Sequence, residues 1–335
     1  MLIFFNFNFA LFSCNQEDNS QSVDQLSTTN PQEAQLSGRG GCRFEKTLNY
    51  KLTTDPVFAA NFEANEAHIA DYVSRLEADS ETARRNLETL TIRVVVNNIY
   101  RNNPLPMDLI EGQIEQLNNA FAGRLDRVPG IPADGGRFNA RDTRIRFVLD
   151  EVKFRRNQRI FRNNTDLYRR STGGIDPTKR NTRINIYVAD IVVASNFENF
   201  IIGDSAFPGE AADAFDHIYV DQLAFGVRSG NGFLNEGKLL AHEMGHYFGL
   251  FHIAGKTTNL CSFDDAVNDT PNCTSNYSAP DLVTGPTTTT CGSQDMYWNL
   301  MALSDDAQRF MFTNGQRNRM RGSLENGARS NFVRR

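Results

Sequence analysis

Two apolar periods alternate along the chain. Leu90-Thr-Ile-Arg-Val-Val-Val96 alternates and is rich in β-branched residues, which predicts a strand. From Met107 to Leu125 apolar residues recur at Ile110, Ile114, Leu117 and Phe121, a helical period. Thr143 to Val152, Arg183 to Val188 and Ile218 to Val220 read as three further strands. Between the last two, Gly203 to Gly209 is a loop by composition. Upstream, Ile69, Tyr72, Val73 and Leu76 lie roughly on one face of a helix predicted over about Asp55 to Ala78, followed by helix from Ser80 to Leu87. The expected fold class is mixed α/β (α+β), and after His252 the pattern loses regular secondary structure.

Composition narrows the picture little. A chain of 335 residues can bury a large core, and 40% apolar with 22% charged residues is ordinary for a soluble globular protein. The net charge of −5 argues against a nucleic-acid partner. Arg155, Arg156 and Arg159, and Arg169 with Arg170, form basic clusters, but no aromatic stacking platform accompanies them. They read as a solvated loop.

Candidate chemistry is concentrated in one stretch, His242 to His252, which reads HExxHxxGxxH. Four residues of helix place His242 and His246 one turn apart on the same face. Glu243 lies between them, positioned to reach a metal-bound water. Gly249 can turn left-handed and end the helix, returning His252 as a third ligand. Three neutral imidazoles and a water make an open tetrahedral zinc site of the catalytic kind. From this composition the five fixed positions should arise by chance in on the order of 10⁻⁵ of such chains or fewer. A buried amphipathic helix with incidental histidines is the bland alternative, and three of only five histidines fall in this stretch.

The N-terminus carries different signals. Residues 1–13 form an apolar run too short to span a bilayer, followed by Cys14. Leu11-Phe-Ser-Cys14 resembles a bacterial lipobox, which implies lipidation of Cys14, although no basic residues precede the run and Phe12 is bulky. An ordinary secretory signal is the alternative, and both imply export to the outside or to a bacterial cell surface. Membrane contact would come only through that lipid. Residues 14–38 are polar and aperiodic, a flexible tether. Residues 39–88 form a separate helical segment containing Cys42 among glycines, and residues 89–335 the main domain. Of the five cysteines at least one must do something other than pair within the chain.

The motif from His242 to His252, with the later stretch Cys291 to Gln316, resembles the pappalysin family of metzincins. The resemblance runs from about Cys42 to Met320. It implies a twisted mixed sheet and active-site helix above, an irregular subdomain below, and an antiparallel edge strand lining the cleft. Asp216 to Asp221 is that strand or its neighbour. It implies a zinc endopeptidase acting on protein or peptide substrates, with Glu243 as general base. Met301 would lie beneath the zinc, and Gly315 to Glu325 would be the final helix. Cys42 would ligate the zinc in a latent form. Asp264, Asp265, Asp269 and Thr270 match a loop that binds calcium in the family; the alternative is a polar turn held by Asx hydrogen bonds. The family pattern suggests a Cys261–Cys291 disulfide, with Cys273–Cys291 as the rival. Asp305 and Asp306 fall where metzincins build the pocket after the scissile bond, which implies a basic preference. Leu303 replaces a family tyrosine that would help hold the oxyanion. That departure favours a second reading, a zinc-bearing surface binding protein with little or no chemistry. A thermolysin-like enzyme would use a downstream Glu instead of His252.

Overall fold

The computed structural model describes residues 44–78, 87–127, 141–159, 161, 164–190, 202–210, 216–229, 234–253, 261, 264–273 and 289–334. Cys14, Cys42 and all but Leu87 of the helix expected over Ser80 to Leu87 fall outside the described residues, and Leu87 is not helical. Among these residues no helix is long and apolar enough to cross a membrane.

A mixed sheet organises the domain. Its strands are β1 (Leu90–Tyr100), β2 (Ile145–Arg156), β3 (Ile184–Ala189), β4 (Gly203–Ser205) and β5 (Ile218–Asp221), in the order β2-β1-β3-β5-β4. β1 pairs parallel with β2 and β3, and β3 parallel with β5, while β4 runs antiparallel to β5 at the edge. All six residues of β3 are buried, as expected of a central strand covered on both faces. On one face Ile92, Val94, Val96, Ile186, Val188, Ile218 and Val220 join the main core with the two helices described next. On the other, Tyr187 and Tyr219 pack with Phe161, Leu167 and Tyr168.

Helix α3 (Met107–Phe121) buries Ile110, Ile114, Leu117 and Phe121, the positions its period indicated. Helix α4 (Leu239–Tyr247) carries the histidine motif, and every one of its residues is buried. Ahead of β1, α1 (Phe44–Thr54) and α2 (Pro56–Ala78) form a helical pair. Helix α5 (Asn314–Leu324) follows the irregular half and is capped by Thr313, whose hydroxyl accepts from Gln316 N while the Gln316 side chain accepts from Thr313 N. The irregular half also holds a two-residue hairpin, β6 (Thr289–Thr290) and β7 (Ser293–Gln294), and β8 (Val333–Arg334) returns to pair with β1.

Two expectations are corrected here. Gly203 to Ser205 is the edge strand, not loop, and Ile218–Asp221 is its neighbour; Gly203 pairs with Val220 and Ser205 with Ile218. Three residues with a glycine show no period, so the ladder of β5 makes the strand. Arg155 and Arg156 end β2 in place of a solvated loop, and the Arg155 guanidinium donates to the Gly174 and Arg170 carbonyls.

Candidate active site

The metal motif is built from the backbone outward. Helix α4 ends after Tyr247, and Gly249 takes φ +96°, the left-handed turn its position called for. That turn carries the chain back through Phe251 to His252. The Nε2 atoms of His242, His246 and His252 lie 3.1, 3.2 and 3.1 Å apart, and all three rings are buried. Three nitrogens of a tetrahedral zinc site, each about 2.0–2.1 Å from the metal, would be roughly 3.3 Å apart. The donor set therefore fits zinc in spacing and in chemistry. Among the described residues this trio is the one group of three or more His, Cys, Asp or Glu close enough to share a metal ion.

The tautomers are fixed from behind. His242 Nδ1 donates to the Leu300 carbonyl at 2.7 Å, and His246 Nδ1 to the Leu250 carbonyl at 2.8 Å. Each bond commits Nδ1 as the protonated nitrogen and leaves the Nε2 lone pair for a metal. Burial, then the neighbouring imidazoles and Arg309, push the His242 pKa well below its ordinary value, which keeps the ring neutral and competent to ligate.

Glu243 is fully buried beside the trio. The edge strand reaches it: a Cβ on Gly203 would fall 2.2 Å from Glu243 Oε1. Gly203 is thus the residue that lets the cleft-lining backbone and the carboxylate share this space. Met301 packs against the same helix, where a Cβ on Gly245 would come 2.5 Å from its sulfur. The Met301 turn is held by Asn299, whose Oδ1 accepts from Met301 N at 2.8 Å and whose side chain pairs with Gln316.

The remaining site residues are placed as follows. Cys261 and Cys291 are bridged, with their Cα atoms 5.3 Å apart. Cys273 lies buried outside that bridge, its thiol donating to the Ile253 carbonyl. The acidic loop is a hydrogen-bonded turn. Asp264 Oδ1 accepts from Ala266 N at 2.7 Å, and both Asp265 oxygens accept from the Thr270 hydroxyl at 2.8 Å. Asp269 instead serves α5, accepting from Thr313 Oγ1 at 2.6 Å and Gly315 N at 2.9 Å. Burial lifts the Asp265 carboxyl to about 7.

Asp306 does not offer its charge to the cleft. It is fully buried, ion-paired to Arg309, and accepts from Lys238 N at 3.1 Å, so it fastens the start of α4 to the segment after the Met301 turn. Asp305 caps the short 3-10 helix Asp306–Gln308 through Ala307 N. Two adjacent acids after the turn look alike in sequence; only their long-range partners distinguish a structural acid from a recognition acid. The same holds for Lys238, Arg309 and Gly203, which carry no local signal.

Residues 179–325 match the family model Peptidase_M43, described as Pregnancy-associated plasma protein-A. Within that span the chain is similar to pappalysins. An extracellular metalloprotease of Arthroderma otae is 36% identical over 115 residues, 32% of this chain. That match spans 41% of the relative's length. A promirolysin variant from Tannerella forsythia has the same fold, with TM-score 0.69 at 22% identity over 87% of this chain and 96% of its own. Mature mirolysin from Tannerella forsythia with a cleaved peptide gives TM-score 0.63 at 24% identity, over 73% of this chain and 96% of its own. The mixed sheet, the helix that carries the histidine motif and the antiparallel edge strand are those of the metzincin fold.

Proposed function

We propose that the protein is an exported zinc endopeptidase, made latent by residues 39–88. The observation that carries this reading is the triangle of Nε2 atoms 3.1–3.2 Å apart beside the buried Glu243. Bound at that triangle, zinc would lower the pKa of water to about 7 and polarise a scissile carbonyl. Glu243 takes the proton from the attacking water and returns it to the leaving amine. The edge strand β4 offers backbone groups to an extended peptide, holding it across Glu243. The backbone carbonyls of Leu300 and Leu250 keep the two helical imidazoles aimed throughout.

Export is supported by the apolar leader and by the extracellular relative. Latency is supported by two features. The promirolysin likeness covers more of this chain than the mature mirolysin likeness does. Helix α2 also packs directly on the metal motif's turn, where Ile69 meets Gly249. Cys42 supplies the thiolate that would compete with water for the open coordination position.

The second reading, a zinc-bearing binding protein, rests on Leu303. A buried general base against the edge strand speaks for chemistry instead. Peptide-library cleavage by protein matured near residue 88, with metal analysis of the same sample, tests the two. The peptidase reading expects about one zinc per chain and discrete cleavage sites abolished by chelation. Full zinc content without cleavage would leave the binding reading standing.

A further inference from the structure

Helix α2 presents a stripe to the catalytic unit: Phe58, Phe62, Glu66 and Ile69, spaced for one face of a helix. Each meets a complementary feature. Phe62 packs tilted against Phe207 with ring centroids 5.4 Å apart, and Phe207 against Phe251 at the same distance. Phe207 follows the edge strand and Phe251 precedes His252, so this aromatic cluster joins both walls of the cleft. Ile69 is buried in a hollow that two glycines make; a Cβ on Gly322 would lie 3.2 Å from Ile69 Cα, and one on Gly249 would lie 3.5 Å from Ile69 Cδ1.

Glu66 accepts from Arg319 through both oxygens, at 2.7 and 2.6 Å. The Arg319 side chain is only 5% exposed. Its Nε donates to the Gly249 carbonyl at 2.7 Å, and its guanidinium lies over the Phe251 ring at 4.9 Å. Arg319 therefore ties the pro-segment to the very turn that returns the third histidine. Outlying bonds extend the contact: Lys51 to Glu210, Tyr72 to the Glu325 carboxylate and His68 to the Glu325 carbonyl.

We propose that Phe207, Phe251, Gly249, Gly322 and Arg319 form a helix-docking groove that keeps α1–α2 seated after the chain is cut between α2 and β1, with Glu66–Arg319 as its charged latch. The inference rests on reading residues 39–88 as a pro-segment. Leaving the groove would break the Glu66–Arg319 pair and expose Ile69 and the aromatic cluster, so cutting alone is not sufficient for release. The latch acts independently of Cys42.

The test uses the full chain carrying Cys42→Ala, so that no thiolate holds the segment, with a site-specific protease sequence inserted between residues 79 and 86. After cutting, the segment should co-elute with the remainder in gel filtration. Glu66→Lys or Ile69→Asp should release it, raising its dissociation constant roughly 30-fold or more. Both substitutions lie on the departing segment, so the catalytic unit keeps its sequence. A parent segment that separates on cutting overturns the groove. A segment that stays equally bound with Glu66→Lys overturns the latch. Elution is read without any activity assay; release by the variants with no accompanying peptidase activity counts against the peptidase reading alone.

Discussion

His242 and His246 owe their aim to carbonyl oxygens that local sequence does not reveal, whereas their spacing was legible at once because i and i+4 share a helix face. His252→Ala removes one of three protein ligands from the open site. Zinc affinity should fall by well over 10-fold while the circular dichroism spectrum is retained; full metal content would mean that another group is the third ligand. Asp265 gives a pH prediction. Its folded pKa of about 7 lies above the ordinary 3.8, so the folded state holds the proton more tightly. Stability from this group is therefore present below 3.8 and is lost as pH rises toward about 7. Asp265→Asn removes the dependence, and the difference in Tm should shift in the variant's favour across that window. A pH-independent difference would contradict the assignment. Calcium bound by Asp264, Asp265, Asp269 and Thr270 would favour the ionised carboxyl. If calcium raised Tm above pH 7 in the parent alone, the loop would be a cation site rather than a hydrogen-bonded turn.

At the scale of elements, legibility followed periodicity. β1, β3 and α3 announced themselves through β-branched alternation and a 3.6 period, and each lies within a few residues of its expected bounds. β4 was invisible because three residues hold no period and its stability comes from β5. α1 was missed for a related reason: its sequence FEKTLNYKLTT is weakly amphipathic, and Leu48 is buried only by tertiary contact. Gly203 shows what the edge strand adds to the site. Gly203→Val would drive a side chain into Glu243, 2.2 Å from where its Cβ would start. Displacing the carboxylate should cut turnover about 10²-fold with zinc content unchanged. Unaltered turnover would separate the edge strand from the general base.

For the whole molecule, residues 39–88 and 89–335 were read in sequence as separate segments, but the contact between the N-terminal helices and the sheet domain was not legible there. Pairs such as Glu66–Arg319 and Tyr72–Glu325 join residues 253 positions apart, and no local pattern anticipates them. The proposed latency belongs to this scale. In that proposal, tethering would give the Cys42 thiolate an effective concentration of about millimolar order. Cys42→Ala should therefore raise the peptidase activity of the uncut chain or hasten its self-maturation, and equal activity of variant and parent would remove Cys42 from the latency mechanism. The central claim is that a metal held by three histidines and a carboxylate that is not a ligand together hydrolyse peptide bonds. Glu243→Ala in the matured protein, with bound zinc and peptide cleavage measured on one sample, tests it most directly. The predicted result is zinc content equal to the parent's and cleavage lowered about 10² to 10⁴-fold; near-normal cleavage, or loss of the zinc, would contradict it.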